Sequence, residues 1–106
     1  MTRVLFKVSN VGPRASVIQE KLPFAIIRDN AVVAASPLGA DVSLNEHLVW
    51  LWGMLQHHRR FLKSTTTDGA VLTCECKAPM GVVHLRPNGA EMLHLLGAEL
   101  VLSISG

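Results

Sequence analysis

Residues 43 to 63, "SLNEHLVWLWGMLQHHRRFLK", decide the reading of the fold. Ser43 and Glu46 have the spacing of a capping box, in which the serine hydroxyl accepts from the amide three residues on and the glutamate reaches back. At 100° per residue, Leu44, Leu48, Leu51, Leu55 and Leu62 fall within about 60° of one another. Met54, Phe61 and Trp50 widen that stripe on one side, and Trp52 flanks it on the other. Asn45, Glu46, Val49, Gly53, Gln56, Arg60 and Lys63 take the opposite side, and all but Val49 are polar or glycine. The spacing predicts one helix from 43 to about 63, with a single apolar face to bury.

That helix also carries His47, His57 and His58, two tryptophans and a methionine, which raises the question of a metal or cofactor. Two helical histidines share a metal at i, i+3 or i+4 spacing. His57 and His58 are neighbours about 100° apart, and His47 lies some 15 Å or more away along the axis at about 1.5 Å per residue. Local geometry therefore assembles no metal site. His47 and His58 project onto the edge of the leucine stripe, where a half-buried imidazole donates to a carbonyl, and Met54 stands one turn from Trp50 for sulfur-aromatic packing. The cluster reads as core, and no cofactor is expected.

Outward from the helix, "RVLFKVS" alternates Val4, Phe6 and Val8 against Leu5 and Lys7, a half-buried strand. A short helix is expected near 13 to 22, opened by Pro13 and closed by Pro23. "FAIIR" and "AVVAAS" flank Asp29-Asn30, both tolerant of positive φ, which suits a two-residue hairpin. After the long helix, "TTTDG" is read as its break. "AVLTCECK" is a strand with Leu72, Cys74 and Cys76 on its apolar face, and "VVHL" at 82 to 85 a second short strand. "RPNGAEMLHLLG" is a short helix with an Asn88-to-Glu91 capping spacing and Gly97 at its stop. "AELVLSIS" closes as a strand.

The order β-α-β-β-α-β-β-α-β predicts a single α+β domain over 1–106. Its expected form is a two-layer sandwich with a mostly antiparallel sheet, helices on one face, and a ferredoxin-like start extended by β-α-β. The 106 residues suffice for one core. Charged residues make up 17%, below the usual ~25%, which leaves apolar surface for another chain to cover. Net charge is +2 and the basic residues are scattered, with Arg59-Arg60 the only adjacent pair. A nucleic-acid partner calls for a basic patch, and a membrane span for a run of ~20 apolar residues; the sequence has neither. The expectation is a cytoplasmic chain with reduced thiols.

Cys74 and Cys76 invite a redox or metal reading. In a strand they stand about 6.6 Å apart, which strains a disulfide, and zinc needs two further ligands. The candidates for those ligands are histidines distant in sequence, such as His84 or His94. His84 could lie opposite this strand in the expected 82 to 85 hairpin, so Cys74, Cys76 and His84 form the candidate reactive set, while buried inert thiols are the favoured reading. Phosphate loops, serine elbows and paired-carboxylate motifs are missing from the sequence. An enzyme is the less favoured reading.

"SLNEHLVWLWGMLQHHRRFL", the cysteine-bearing strand and "HLRPNGAEMLHLLGAELVLSIS" resemble the bacterial domain-of-unknown-function family 4279. The pattern falls on Ser43, Leu44, His47, Leu48, Trp50, Leu51, Leu85, Pro87, Leu93, Leu96, Gly97, Leu100 and Leu102, covering about 43 to 104. Residues 23 to 37 lack the glycine-rich stretch and the tryptophan strand usual in that family. The resemblance implies an α+β fold and no agreed activity, some members looking like toxin-immunity proteins. Met92 and Leu95 occupy positions usually polar in such sequences, which marks Met92, Leu95 and neighbouring His94 as candidate partner contacts. The expected function is a small non-enzymatic binding module. It would act through its sheet face or an edge strand on a protein partner or on itself as a homodimer; a ligand-sensing domain is the alternative.

Overall fold

The computed structural model describes residues 2–79 and 83–105. Its strands are β1 (Arg3–Ser9), β2 (Ile26–Arg28), β3 (Ala31–Ala35), β4 (Val71–Pro79) and β5 (Glu99–Ser105). Its helices are α1 (Ala15–Lys21), α2 (Leu44–Leu55), α3 (Arg59–Thr67) and α4 (Pro87–Leu96). The strands form one sheet in the order β2-β3-β1-β4-β5. All neighbours are antiparallel except β4 and β5, which run parallel around α4. The chain is thus α+β with a five-stranded mixed sheet. The order β2-β3-β1-β4 is consistent with the split pattern expected from the first six elements.

Alternation places the core. Val4, Phe6 and Val8 of β1 stand opposite Cys76, Cys74 and Leu72 of β4, and Phe6 and Val8 opposite Ala34 and Val32 of β3. All are buried in one cluster with Leu44, Leu48, Leu51, Leu55 and Leu62 of the helices. The β2-β3 turn is made by Asp29 and Asn30, at φ 51° and 62°, two left-handed residues that match the twist of a hairpin. Ser43 caps α2, its hydroxyl accepting from the Glu46 N–H at 3.2 Å.

The helix expected over 43 to 63 is instead two helices joined by a 3₁₀ turn at Gln56–His58. Three residues at about 120° each add about 60° to the wheel, which carries Thr65 towards the buried stripe. The threonines do not break the helix either. Ser64, Thr65 and Thr66 hydroxyls donate back to the carbonyls of Phe61, Leu62 and Lys63 at 2.5, 2.5 and 2.6 Å, so each is satisfied inside the helix. The stop comes at Gly69, with φ +96°.

The strand expected at 82 to 85 does not form. Val82 lies outside the described residues, and Val83 to Leu85 are unpaired coil. The physical reason is that β4 has no free edge, since β1 and β5 hold both sides. Pro87 also restricts Arg86 to extended backbone, at ψ 163°.

Asn88 does not cap α4; Arg86 holds that position, with Pro87 at the first turn. The amide of Asn45, placed by the wheel on the polar side, is buried and ties α2 to this turn. Its Nδ2 donates to Asn88 Oδ1 at 2.9 Å, and its Oδ1 accepts from the Arg86 N–H at 3.1 Å. Gly89 lets the helices come this close. A Cβ there would stand 2.5 Å from Asn45 Oδ1 and 3.3 Å from Leu48 Cδ1. Gly89→Ala is therefore expected to destabilise by about 1–2 kcal/mol, overpacking outweighing the gain in helix propensity. Urea titration checks this; unchanged or raised stability would show that the two helices do not meet there.

Candidate functional site

Cys74 and Cys76 lie on the inward face between β1 and β5, opposite Phe6 and Val4 on one side and Leu100 and Leu102 on the other. Both are free and buried. Burial pushes the Cys74 thiol up to about 12, helped by neighbouring Cys76, and the Cys76 thiol up to about 11. At neutral pH both are protonated, the unreactive form. His84 is exposed, and without the 82 to 85 hairpin no strand pairing sets it across from them. Among the described residues, no group of three or more His, Cys, Asp or Glu side chains could hold a metal ion. No helix of the described chain is long and apolar enough to cross a membrane.

Met92, expected to face a partner, is 1% exposed and belongs to the core. The 3.6-residue period explains this: Met92, Leu93 and Leu96 share the buried side of α4, while His94 and Leu95 face outward. Of the proposed contacts, the surface keeps only these two.

The free edge of β5 was not singled out in detail by sequence. Among the described residues, strand β5 pairs with β4 on one side only. Its Val101, Leu102 and Ile104 are 40%, 40% and 53% exposed, so apolar side chains on both faces of the strand meet water. After Glu99 it carries no charge, and it has no proline, the devices that normally blunt an edge. The opposite edge, β2, is three residues long and ends at Arg28, which leaves little to pair.

A second feature lies where β1 begins. A cavity of about 720 Å³ is lined by the first residues of β1, the end of β3, the 36–40 loop, His47 of α2, and parts of β4 and β5. His47 is 1% exposed. Its Nδ1 stands 2.7 Å from Ser36 Oγ, not the carbonyl expected, and its Nε2 is buried with no hydrogen-bond partner among the described residues. His57 is exposed, and His58 is half-buried against Phe24, with ring centroids 6.3 Å apart. The reading of the histidines as core holds for His47 by burial, but His47 is a core residue left half satisfied. Sequence placed His47 near the stripe and had no signal for Ser36, eleven positions earlier in a loop. Comparison with protein-family models, with curated proteins and with solved structures found no match.

Proposed function

We propose that the chain is a small non-enzymatic interaction module that pairs with a second copy of itself along the free edge of β5. The exposure of Val101, Leu102 and Ile104 on an uncharged, unblocked edge is the observation that carries this reading. The strand is self-complementary. Antiparallel pairing about a two-fold axis at Leu102 sets Leu102 against its own copy, Leu100 against Ile104, Val101 against Ser103, and Glu99 against Ser105. No like charges oppose one another, and apolar pairs of this kind each contribute about 0.2–1 kcal/mol beyond the backbone bonds. A two-fold operator is also the commonest way for identical chains to close. The low charge fraction of the chain suits a covered surface, and the family resemblance favours binding over catalysis. Cytoplasmic residence, where both thiols stay reduced, belongs to the same proposal.

Light scattering during gel filtration tests it. The chain is expected at dimer mass, and Leu102→Lys, which sets two ammonium groups face to face at the axis, at monomer mass with its far-UV circular dichroism unchanged. A monomeric native chain would sink the proposal. A dimer that survives Leu102→Lys and is lost in Leu95→Arg would move the interface to the outer side of α4.

A further inference from the structure

Asn88 is the one asparagine of the chain followed by glycine; Asn10, Asn30 and Asn45 precede valine, alanine and glutamate. Before glycine, the next backbone nitrogen reaches an asparagine side-chain carbon most freely, because no Cβ hinders the approach. Asn88 lies where that chemistry meets the packing of two helices.

The amide network around it has one orientation. The Arg86 N–H can only donate, so the Asn45 atom that it meets at 3.1 Å is the oxygen. Asn45 therefore offers its NH₂ to Asn88, and the Gly89 N–H donates to the same Asn88 oxygen, both at 2.9 Å. What position 88 supplies is an acceptor, used twice, and a carboxylate would supply it as well. The Gly89 nitrogen is thus held beside the Asn88 side chain with its hydrogen turned to the oxygen, while Asn45 clamps that oxygen from the side of α2. The clamp is local. Pro87, Asn88 and Ala90 are exposed, and the apolar side chains that anchor α4, Met92, Leu93 and Leu96, begin only in its second turn. A turn held by so few apolar contacts opens at lower cost than the whole domain unfolds.

We propose that Asn88 is a site of spontaneous deamidation, gated by opening of the first turn of α4 and leading to an aspartate that the closed turn accepts. With the turn open, the Gly89 nitrogen attacks Asn88 Cγ. The N–Cγ bond forms, the Cγ–Nδ2 bond breaks, and ammonia leaves with the Gly89 amide hydrogen. Water then opens the cyclic imide. Cleavage between nitrogen and Cγ restores the main chain and leaves an aspartate; cleavage at the main-chain carbonyl carbon leaves an isoaspartate, with the chain running through Cγ. Nothing is oxidised or reduced, and water is the only co-reactant. The aspartate keeps both accepted bonds, now charge-assisted. It also adds negative charge to a first turn that has no acidic residue, where the helix dipole favours it. The isoaspartate lengthens the main chain by one carbon and carries its carboxylate away from Asn45, so it does not close the turn. This chemistry is independent of pairing at β5.

Incubation in mildly alkaline buffer, sampled over weeks by peptide mapping and mass spectrometry, tests the proposal. Conversion is expected at Asn88 and not at Asn10, Asn30 or Asn45, and about tenfold or more faster in guanidinium chloride than in native buffer. Asn45→Ala, which removes the clamp, is expected to speed conversion of the folded chain. Asn88→Asp is expected to have a urea midpoint at least equal to that of the unaltered chain, and Asn88→Leu a lower one. The ratio of native to denatured rates and the Asn88→Asp midpoint decide the matter even if Asn45→Ala does not fold. No conversion in native buffer long after conversion in denaturant is complete, equal rates in the two, or a lowered Asn88→Asp midpoint would each overturn the proposal. So would a folded Asn45→Ala chain that converts no faster.

Discussion

Replacing Leu51 by alanine is expected to lower the unfolding free energy by about 3 kcal/mol, within the 2–5 kcal/mol range of buried leucine truncations. Leu51 is fully buried at the middle of the leucine stripe, flanked by Leu48 and Leu55. The helix carrying it packs against β1, the central strand. Truncation there removes contacts on a side where the sheet cannot collapse, because β1 is held by ladders to both β3 and β4. In urea the midpoint should fall with the slope unchanged, and the melting temperature should drop on the order of 10 to 20 °C. Val49→Ala, on the exposed side of the same helix, is expected to stay within about 0.5 kcal/mol. Equal effects of the two substitutions would mean that the stripe does not face the sheet.

That stripe was legible from sequence because burial repeats with the helix. Leu44, Leu48, Leu51, Leu55 and Leu62 are all buried, and one periodicity accounts for them. The hairpin was legible for a similarly local reason, since Asp29 and Asn30 are residues that accept left-handed backbone. What escaped was whatever depended on a distant partner. The 82 to 85 strand had the right residues, but β5 takes the edge of β4 it needed. Asn45 looked solvated until the turn before α4 was packed over it. The wheel could not see the 3₁₀ turn that rotates α3, nor the hydroxyl-to-carbonyl bonds that let Ser64, Thr65 and Thr66 stay helical. Met92 was misjudged because its side of α4 depends on the axial rotation of that helix, which its sequence neighbours leave open.

The candidate sites were less legible than the fold for the same physical reason. The edge of β5 becomes an edge only once the sheet order is known, and His47 Nε2 becomes an orphan only once its surroundings are closed. A cavity whose wall comes from β1, the loop after β3, α2, β4 and β5 has no sequence spacing to betray it. The cysteines are the opposite case. Their alternation with Thr73 and Glu75 placed both inside, and their chemistry follows from that burial.

The second large effect is alkaline. A thiol held above its ordinary 9.0 in the folded state keeps its proton while the unfolded chain loses its own. Folding stability is therefore full below about pH 9 and falls as pH rises towards the folded values of about 11 for Cys76 and about 12 for Cys74. Within that window each pH unit removes about 1.4 kcal/mol per thiol. By pH 11 the two together remove on the order of 5 kcal/mol, comparable to the whole stability of a small domain. The chain contains no tyrosine, so no phenol titration obscures this region. Urea midpoints measured from pH 7 to 10.5 should be level at first and then decline steeply. Cys74→Ala and Cys76→Ala, each weaker at pH 7 from the space left behind, should each show a shallower alkaline limb. In the folded chain at pH 7 neither thiol should react with an aromatic disulfide reagent, and both should do so in denaturant. A level alkaline limb would mean that folding does not raise the two thiols, and a thiol reacting rapidly without unfolding would mean that it is reached from solvent in the native state; either result would return Cys74 and Cys76 to the list of reactive groups.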